Sequence, residues 1–187
     1  MPVVTIDLIA GYDADTRGRL GRAVTDAVAS VVAAPPEAIT VMLTEHAGEN
    51  YMRGGAHRRP GPPRPDPAEL VRGFLGAMEA RDLDTARAML ATGFRMTFPG
   101  DVRMSRLEEL IEWARPRYKA VQKTYERFDA AQSGATAIVY CFGTLSGTWL
   151  DGTGFSGIRF IDRFEIEAGK ITRQDVWNDM GETRGRT

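Results

Sequence analysis

Hydrophobic and polar positions alternate from the first residues of the chain. Val4, Ile6 and Leu8 alternate with Thr5 and Asp7 up to Gly11, the period-2 pattern of a half-buried strand. The period then lengthens. Leu20, Ala23, Val24, Ala27, Val28, Val31 and Val32 recur at spacings of three and four behind Asp13, which predicts an amphipathic helix capped by Asp13 and stopped by Pro35 and Pro36. Ile39, Val41 and Leu43 next alternate with Thr40, Met42 and Thr44, giving a second strand. Strand, helix and strand in this order predict a parallel pair with a right-handed crossover. Two strands and one helix cannot close a core, so the unit is expected to oligomerise or to pair with something else.

Residues 54–67, GGAHRRPGPPRPDP, are so rich in Gly, Pro and Arg that neither a helix nor a central strand is expected there. The stretch reads as a semi-rigid spacer. Its Arg58, Arg59 and Arg64 read as solvated, with binding of a phosphate or carboxylate as the alternative. Beyond it the pattern changes. Asp66-Pro67-Ala68-Glu69 is a helix start, with Leu70, Val71, Phe74, Leu75 and Met78 as its apolar face. A short helix is expected at Thr85 to Leu90. Ser105-Arg106-Leu107-Glu108 reads as a capping box opening a third helix that Pro116 disrupts. From Lys123 onward the chain reads as four long strands, KTYERFDAAQ, ATAIVYCFGTLSG, FSGIRFIDRFEIE and KITRQDVWND, joined by turns such as Ser133-Gly134 and Asp151-Gly152. Three helices followed by an antiparallel sheet make a second domain, and the whole chain is of the α+β class.

Composition narrows the functional classes. A chain of 187 residues with 43% hydrophobic and 26% charged residues suits one ordinary domain or two small ones. No apolar run approaches a membrane span and no signal peptide is expected, which points to a cytoplasmic protein. The net charge of −1 gives no pull toward nucleic acid or an acidic membrane, so small molecules are the expected partners. The single cysteine, Cys141, lies in the apolar run AIVYCFG and reads as a buried, inert thiol. His46 and His57 lack partners at metal-ligand spacing, and there is no glycine-rich nucleotide loop, so neither metal nor cofactor is expected.

The chain opens Met-Pro. An initiator methionine is removed when the next residue is small, so a mature chain beginning at Pro2 is expected. Its secondary amine can act as general base, general acid or nucleophile. Pro2 followed at once by a strand, a glycine, one helix, a second strand ending Thr44-Glu45 and then ENYMRGG resembles the 4-oxalocrotonate tautomerase family over residues 2–55. The resemblance implies a domain over residues 1–55, a spacer over 56–65, and Pro2 as the catalytic base of a cofactor-independent keto–enol tautomerase. An apolar pocket and nearby positive charge lower the amine's pKa toward working pH. Tyr51 matches the family's aromatic near the C-terminal turn and is assigned to stabilise an enolate oxygen. The two arginines that bind dicarboxylates in that family are replaced here by Tyr12 and Thr40, with Arg53 the nearest substitute cation. A neutral or singly charged carbonyl compound is therefore the expected substrate. Glu45 and Glu49 read as solvated, with activation of water the alternative. The resemblance also implies a homo-oligomer, a dimer at least, with six-fold assembly as the family's precedent.

Residues 66 to about 181 resemble the nuclear transport factor 2-like superfamily, in particular its SnoaL-like polyketide cyclases, which implies a second domain over residues 66–187. The resemblance rests on the helix AELVRGFLGAMEARDLDTARAML, the segment FRMTFPG and the final pair RFIDRFEIEAGKITRQDVWND. It implies a cone of curved sheet wrapped by helices. Phe98, Trp113, Tyr118, Tyr140, Trp149 and Trp177, with Arg159, Asp162, Asp175 and Asn178, are the candidate pocket residues. Asp162 stands out because it interrupts the apolar face of Ile158, Phe160, Phe164 and Ile166. It is either a base with a pKa raised by burial or a partner of Arg159, Arg163 or a tryptophan N–H. The expected function is a Pro2-dependent isomerase with a second small-molecule pocket in the cone. The alternatives are a cone that is itself the catalytic part, as cyclase, dehydratase or isomerase, or a non-catalytic ligand-binding scaffold.

Overall fold

In the computed structural model, which describes residues 1–184, the first alternation forms β1 (Val3–Ile9), which pairs in parallel with β2 (Thr40–His46), Val3 opposite Thr40 and Ile9 opposite His46. Helix α1 (Ala14–Ala29) crosses between them, its first turn held by the Asp13 carboxylate accepting the Thr16 N–H at 2.8 Å. Val4, Ile6, Val41 and Leu43 are half-buried, whereas Val3, Thr5, Thr40 and Met42, facing the other way, are exposed. The helix ends earlier than its apolar stripe suggests. The Ser30 N–H closes onto the Asp26 carbonyl, and the N–H groups of Val31 and Val32 both turn back to Val28. Val31 therefore lies past the last turn and is 85% exposed.

Part of the stretch expected as a spacer is ordered by a tight hairpin. β3 (Met52–Arg53) and β4 (Ala56–His57) pair antiparallel around Gly54-Gly55, whose φ values of 59° and 74° are the positive pair a two-residue turn requires. Glycine freedom at those two positions is what makes the turn. The chain divides into two compact units, Met1–Pro63 and Arg64–Thr187. Residues 185–187, the end of the expected second domain, lie outside the described residues.

In the second unit, Asp66 accepts the N–H groups of Ala68 and Glu69 and opens α2 (Pro67–Glu79), which buries Val71, Phe74, Leu75 and Ala77. α3 (Leu83–Ala88) starts on Asp82, which accepts the Thr85 N–H. Two strands then precede the third helix, contrary to the expected run of three helices: β5 (Leu90–Phe98) and β6 (Val102–Met104). Buried Phe94 and Met96 flank exposed Arg95, the alternation of a half-buried strand. α4 (Leu107–Ala114) begins one residue later than the expected box, because Glu109 rather than Glu108 accepts the N–H groups of Ser105 and Arg106. The long strands are β7 (Tyr118–Ser133), β8 (Thr136–Trp149), β9 (Gly154–Glu167) and β10 (Lys170–Asn178), followed by α5 (Met180–Arg184).

The six strands form one curved sheet in the order β6-β5-β10-β9-β8-β7, antiparallel except where β5 runs parallel to β10. The register slips between Tyr125 and Arg127 on β7 and between Leu145 and Gly147 on β8, as bulges do where a long sheet bends. The core lies under α2, where Phe74 meets Phe94 and Phe164 edge-on at 6.5 and 6.0 Å between ring centres. Among the described residues no helix is long and apolar enough to cross a membrane.

Candidate active sites

In the first unit, sheet pairing brings Pro2 and Thr40 together: the Pro2 carbonyl accepts the Thr40 N–H at 3.0 Å. Pro2 is half-buried immediately ahead of β1, while Thr40 is exposed. Tyr12 is half-buried, and its carbonyl accepts from the Arg17 guanidinium, which also pairs with Glu45 at 3.0 Å. Glu45 is thus held by an arginine that the sequence did not single out. Tyr51 is half-buried at the end of the short turn over residues 48–50, its carbonyl accepting the Arg58 N–H at 3.1 Å, and Arg53 is exposed on the hairpin. His46 does not stand alone, because its Nε2 lies 2.7 Å from Oδ1 of Asp7 on the neighbouring strand.

The second unit holds a cavity of about 170 Å³ between the sheet and helices α2 and α4. Phe74, Leu75, Met78 and Phe98 form apolar wall, and Tyr118, Lys123, Tyr125 and Gln174 carry its polar groups. Asp162 is fully buried among its apolar neighbours. Its partners are neither arginines nor a tryptophan: Oδ2 accepts from Nζ of Lys123 and from Nε2 of Gln174 at 3.3 Å. Lys123 also stands 4.5 Å from the centre of the Phe160 ring, a cation–π contact. Among the described residues, Oδ1 of Asp162, Oε1 of Gln174 and Nε1 of Trp113 are buried with no hydrogen-bond partner. Burial, and then the Asp162 charge, push the Tyr125 hydroxyl well above its ordinary range, so it stays a donor. The same two causes push the buried Cys141 thiol up to about 12, which leaves it without a nucleophilic thiolate.

Four of the residues expected in this pocket, Tyr140, Arg159, Asp175 and Trp177, point to the other face of the sheet, because strand residues alternate sides. Tyr140 lies opposite Arg163, whose guanidinium also holds Glu165 at 2.6 Å and Asp175 at 3.4 Å. Arg159 is exposed and donates to Asp179 at 2.7 Å, and Trp177, 53% exposed, borders the same surface groove. Asn178 accepts the Met180 N–H at the start of α5. Trp149 packs against Phe155 with ring centres 4.3 Å apart and ring planes tilted by 36°. Trp113 meets Phe98 edge-on at 5.2 Å and carries the Arg117 guanidinium 3.9 Å above its ring. Tyr118 alone of these aromatics joins Phe98 in the cavity wall. Lys123 and Gln174 were not singled out, although Val121, Lys123 and Tyr125 share one side of β7 at period two, a lysine among apolar positions.

Residues 2–57 match the family described as "Tautomerase enzyme", and residues 71–174 match the SnoaL-like domain family. The "Probable tautomerase" of Lactiplantibacillus plantarum is 46% identical over 55 residues, which are 29% of this chain and 86% of that protein. Among solved structures, an NTF2-like protein of Burkholderia pseudomallei is 21% identical with a TM-score of 0.51, over 62% of this chain and 92% of that one. TerC, co-crystallised with polyporic acid, is 17% identical with a TM-score of 0.53, over 63% of this chain and 94% of that one. Such structural likeness defines the fold of the second unit. The chain belongs to the tautomerase family through its first unit and to the SnoaL-like family through its second.

Proposed function

We propose that the chain is a cofactor-independent isomerase, a keto–enol tautomerase that uses Pro2 as its general base and acid on an enolisable carbonyl compound. The observation that carries this reading is the family match that begins at Pro2, with 46% identity to a tautomerase over 55 residues. Neutral Pro2 takes a proton next to the carbonyl, Tyr51 or backbone N–H groups hold the enolate oxygen, and protonated Pro2 returns the proton to another carbon. Tyr12 and Thr40 stand where the family binds a dicarboxylate, so a neutral or singly charged substrate suits the site better, with Arg53 as its nearest cation. In this reading residues 1–55 are the tautomerase domain, 56–65 a spacer, and 66–187 a domain with its own small-molecule pocket. Exposed Val3 and Met42, on the sheet face turned away from the helix, support assembly with further copies. The lone thiol Cys141, buried and free, suits a cytoplasmic setting.

A second reading, in which the C-terminal pocket does the chemistry, is favoured by Asp162, a fully buried carboxylate with one unpartnered oxygen. One experiment separates the two. Intact mass establishes whether Met1 is removed, and ketonisation of simple enols is compared in the native protein, Pro2→Ala and Asp162→Asn. Activity lost only in Pro2→Ala supports the first reading. Activity surviving Pro2→Ala and lost in Asp162→Asn overturns it in favour of the second.

A further inference from the structure

The cavity of the second unit has a polar end whose hydrogen-bonding capacity is incompletely used. Gln174 spends its Nε2 on Asp162 and leaves Oε1 buried without a donor, and Oδ1 of Asp162 is in the same state. A buried acceptor without a donor is costly. Gln174 is one of the residues that line the cavity, and its unpartnered acceptor calls for a ligand that brings a hydroxyl. Lys123 is complementary. Its ammonium carries three N–H donors, one of which goes to Asp162, and it lines the cavity. The donors that remain suit a carbonyl oxygen, and the hydroxyl of Tyr125 is a further donor in the same wall.

Size and shape narrow the class. A cavity of about 170 Å³ is close to the roughly 150 Å³ that encloses one benzene ring. The rings of Phe74, Phe98, Tyr118 and Tyr125 in its wall favour a flat ligand. Exposed Glu79 and Arg81 mark the open end.

We propose that this cavity binds a single-ring hydroxy-carbonyl compound, its carbonyl oxygen on the ammonium of Lys123 and its hydroxyl on Oε1 of Gln174. Asp162 is then a positioning residue: it fixes Lys123 and orients the Gln174 amide instead of meeting the ligand as a base. The inference rests on the second pocket of the function proposed above and is independent of Pro2.

The test uses the full chain and isothermal titration with 2-hydroxycyclohex-2-en-1-one, which presents a carbonyl and an enol hydroxyl side by side, and with cyclohexanone, which lacks the hydroxyl. The hydroxy-enone is expected to bind at least about tenfold more tightly, because a site with buried acceptors discriminates against a ligand that cannot satisfy them. Gln174→Met is expected to remove that preference. Lys123→Met leaves the Asp162 carboxylate buried and unpaired and can fail to fold, so Lys123→Met/Asp162→Leu, which removes both charges, is titrated as well and is expected to bind neither compound measurably. Asp162→Asn is expected to keep the fold by circular dichroism and to lose most of the preference, with the Lys123 Cε NMR signal no longer moving on addition of the hydroxy-enone. Pro2→Ala is expected to bind as the native chain does. Equal affinity for the two compounds, a preference retained in Gln174→Met or in the double variant, or a preference lost in Pro2→Ala would overturn the proposal. The last outcome would place the ligand in the N-terminal unit and leave the reading of Pro2 standing.

Discussion

Lys123 and Asp162 form an ion pair over β8, the strand that separates theirs in the sheet: Nζ of the lysine donates to Oδ2 of a carboxylate that is fully buried, while the lysine side chain keeps 23% exposure. The asymmetry sets what each half of the pair costs when lost. Lys123→Met strands a carboxylate where water cannot reach it, and breaking such a pair from one side destabilises by about 3 kcal/mol or more. Lys123→Met/Asp162→Leu removes the charge that needed a partner, and its stability is expected within about 1 kcal/mol of the native value. Urea unfolding of the C-terminal unit measures both. A single variant no worse than the double one would show that the pair is too well solvated for this account.

Cys141 ties the same carboxylate to alkaline stability. Its thiol is raised from 9.0 to about 12 by burial and by the Asp162 charge. The unfolded chain gives up that proton near pH 9, and the folded chain keeps it until about pH 12. The contribution to stability is therefore complete below pH 9 and is lost across pH 9 to 12, at up to about 1.4 kcal/mol per pH unit. Tyr125, raised for the same reasons, adds a loss of the same sign above pH 10. Cys141→Ala is expected to flatten the fall in unfolding free energy between pH 9 and 10, before Tyr125 contributes. An unchanged slope in that interval would contradict the assignment.

Gly143 governs where Lys123 and Tyr125 sit. It faces Tyr125 across β7 and β8 beside the register slip, and a Cβ there would lie 1.9 Å from the Thr124 carbonyl oxygen, a backbone atom that cannot swing aside. Gly143→Ala must displace β7, with an expected loss of about 2–4 kcal/mol. Ligand binding in the cavity should weaken with it even where the protein remains folded. Denaturation and titration of the same sample check the two effects together.

Much of this was legible in the sequence for a physical reason: alternation and caps are local. Asp66 and Asp13 hold their helices as expected, and Asp162 interrupts the apolar face of β9 where the pattern put it. What was missed depends on long-range pairing. Lys123 and Asp162 are 39 residues apart, and a lysine near the start of a strand reads as a solvated charge until the sheet folds it over the core. Conversely, Arg159, Trp177 and Tyr140 looked like pocket residues by type, although alternation counted outward from Asp162 already assigns Arg159 to the opposite face. The Gly54-Gly55 turn is not legible in the sequence, because the same two residues serve spacers and tight hairpins alike.

The first unit supplies the prediction that bears most directly on catalysis. Val3 is 58% exposed and Met42 48%, on a face of β1 and β2 where Val3 is opposite Thr40 and Thr5 opposite Met42. Leu8 and Ile9 are the buried hydrophobic residues within this unit, too small a core for a stable unit by itself. If other copies cover that face, the native chain is expected to elute as an oligomer by light scattering. Met42→Glu places a charge at the covered site and should shift the mass toward the monomer. Because Pro2 immediately precedes β1 and bonds to the first residue of β2, tautomerase turnover should fall with the oligomer fraction, while unfolding of the C-terminal unit is unchanged. A monomeric native chain with full Pro2-dependent turnover would instead mean that the proline site is complete within one copy.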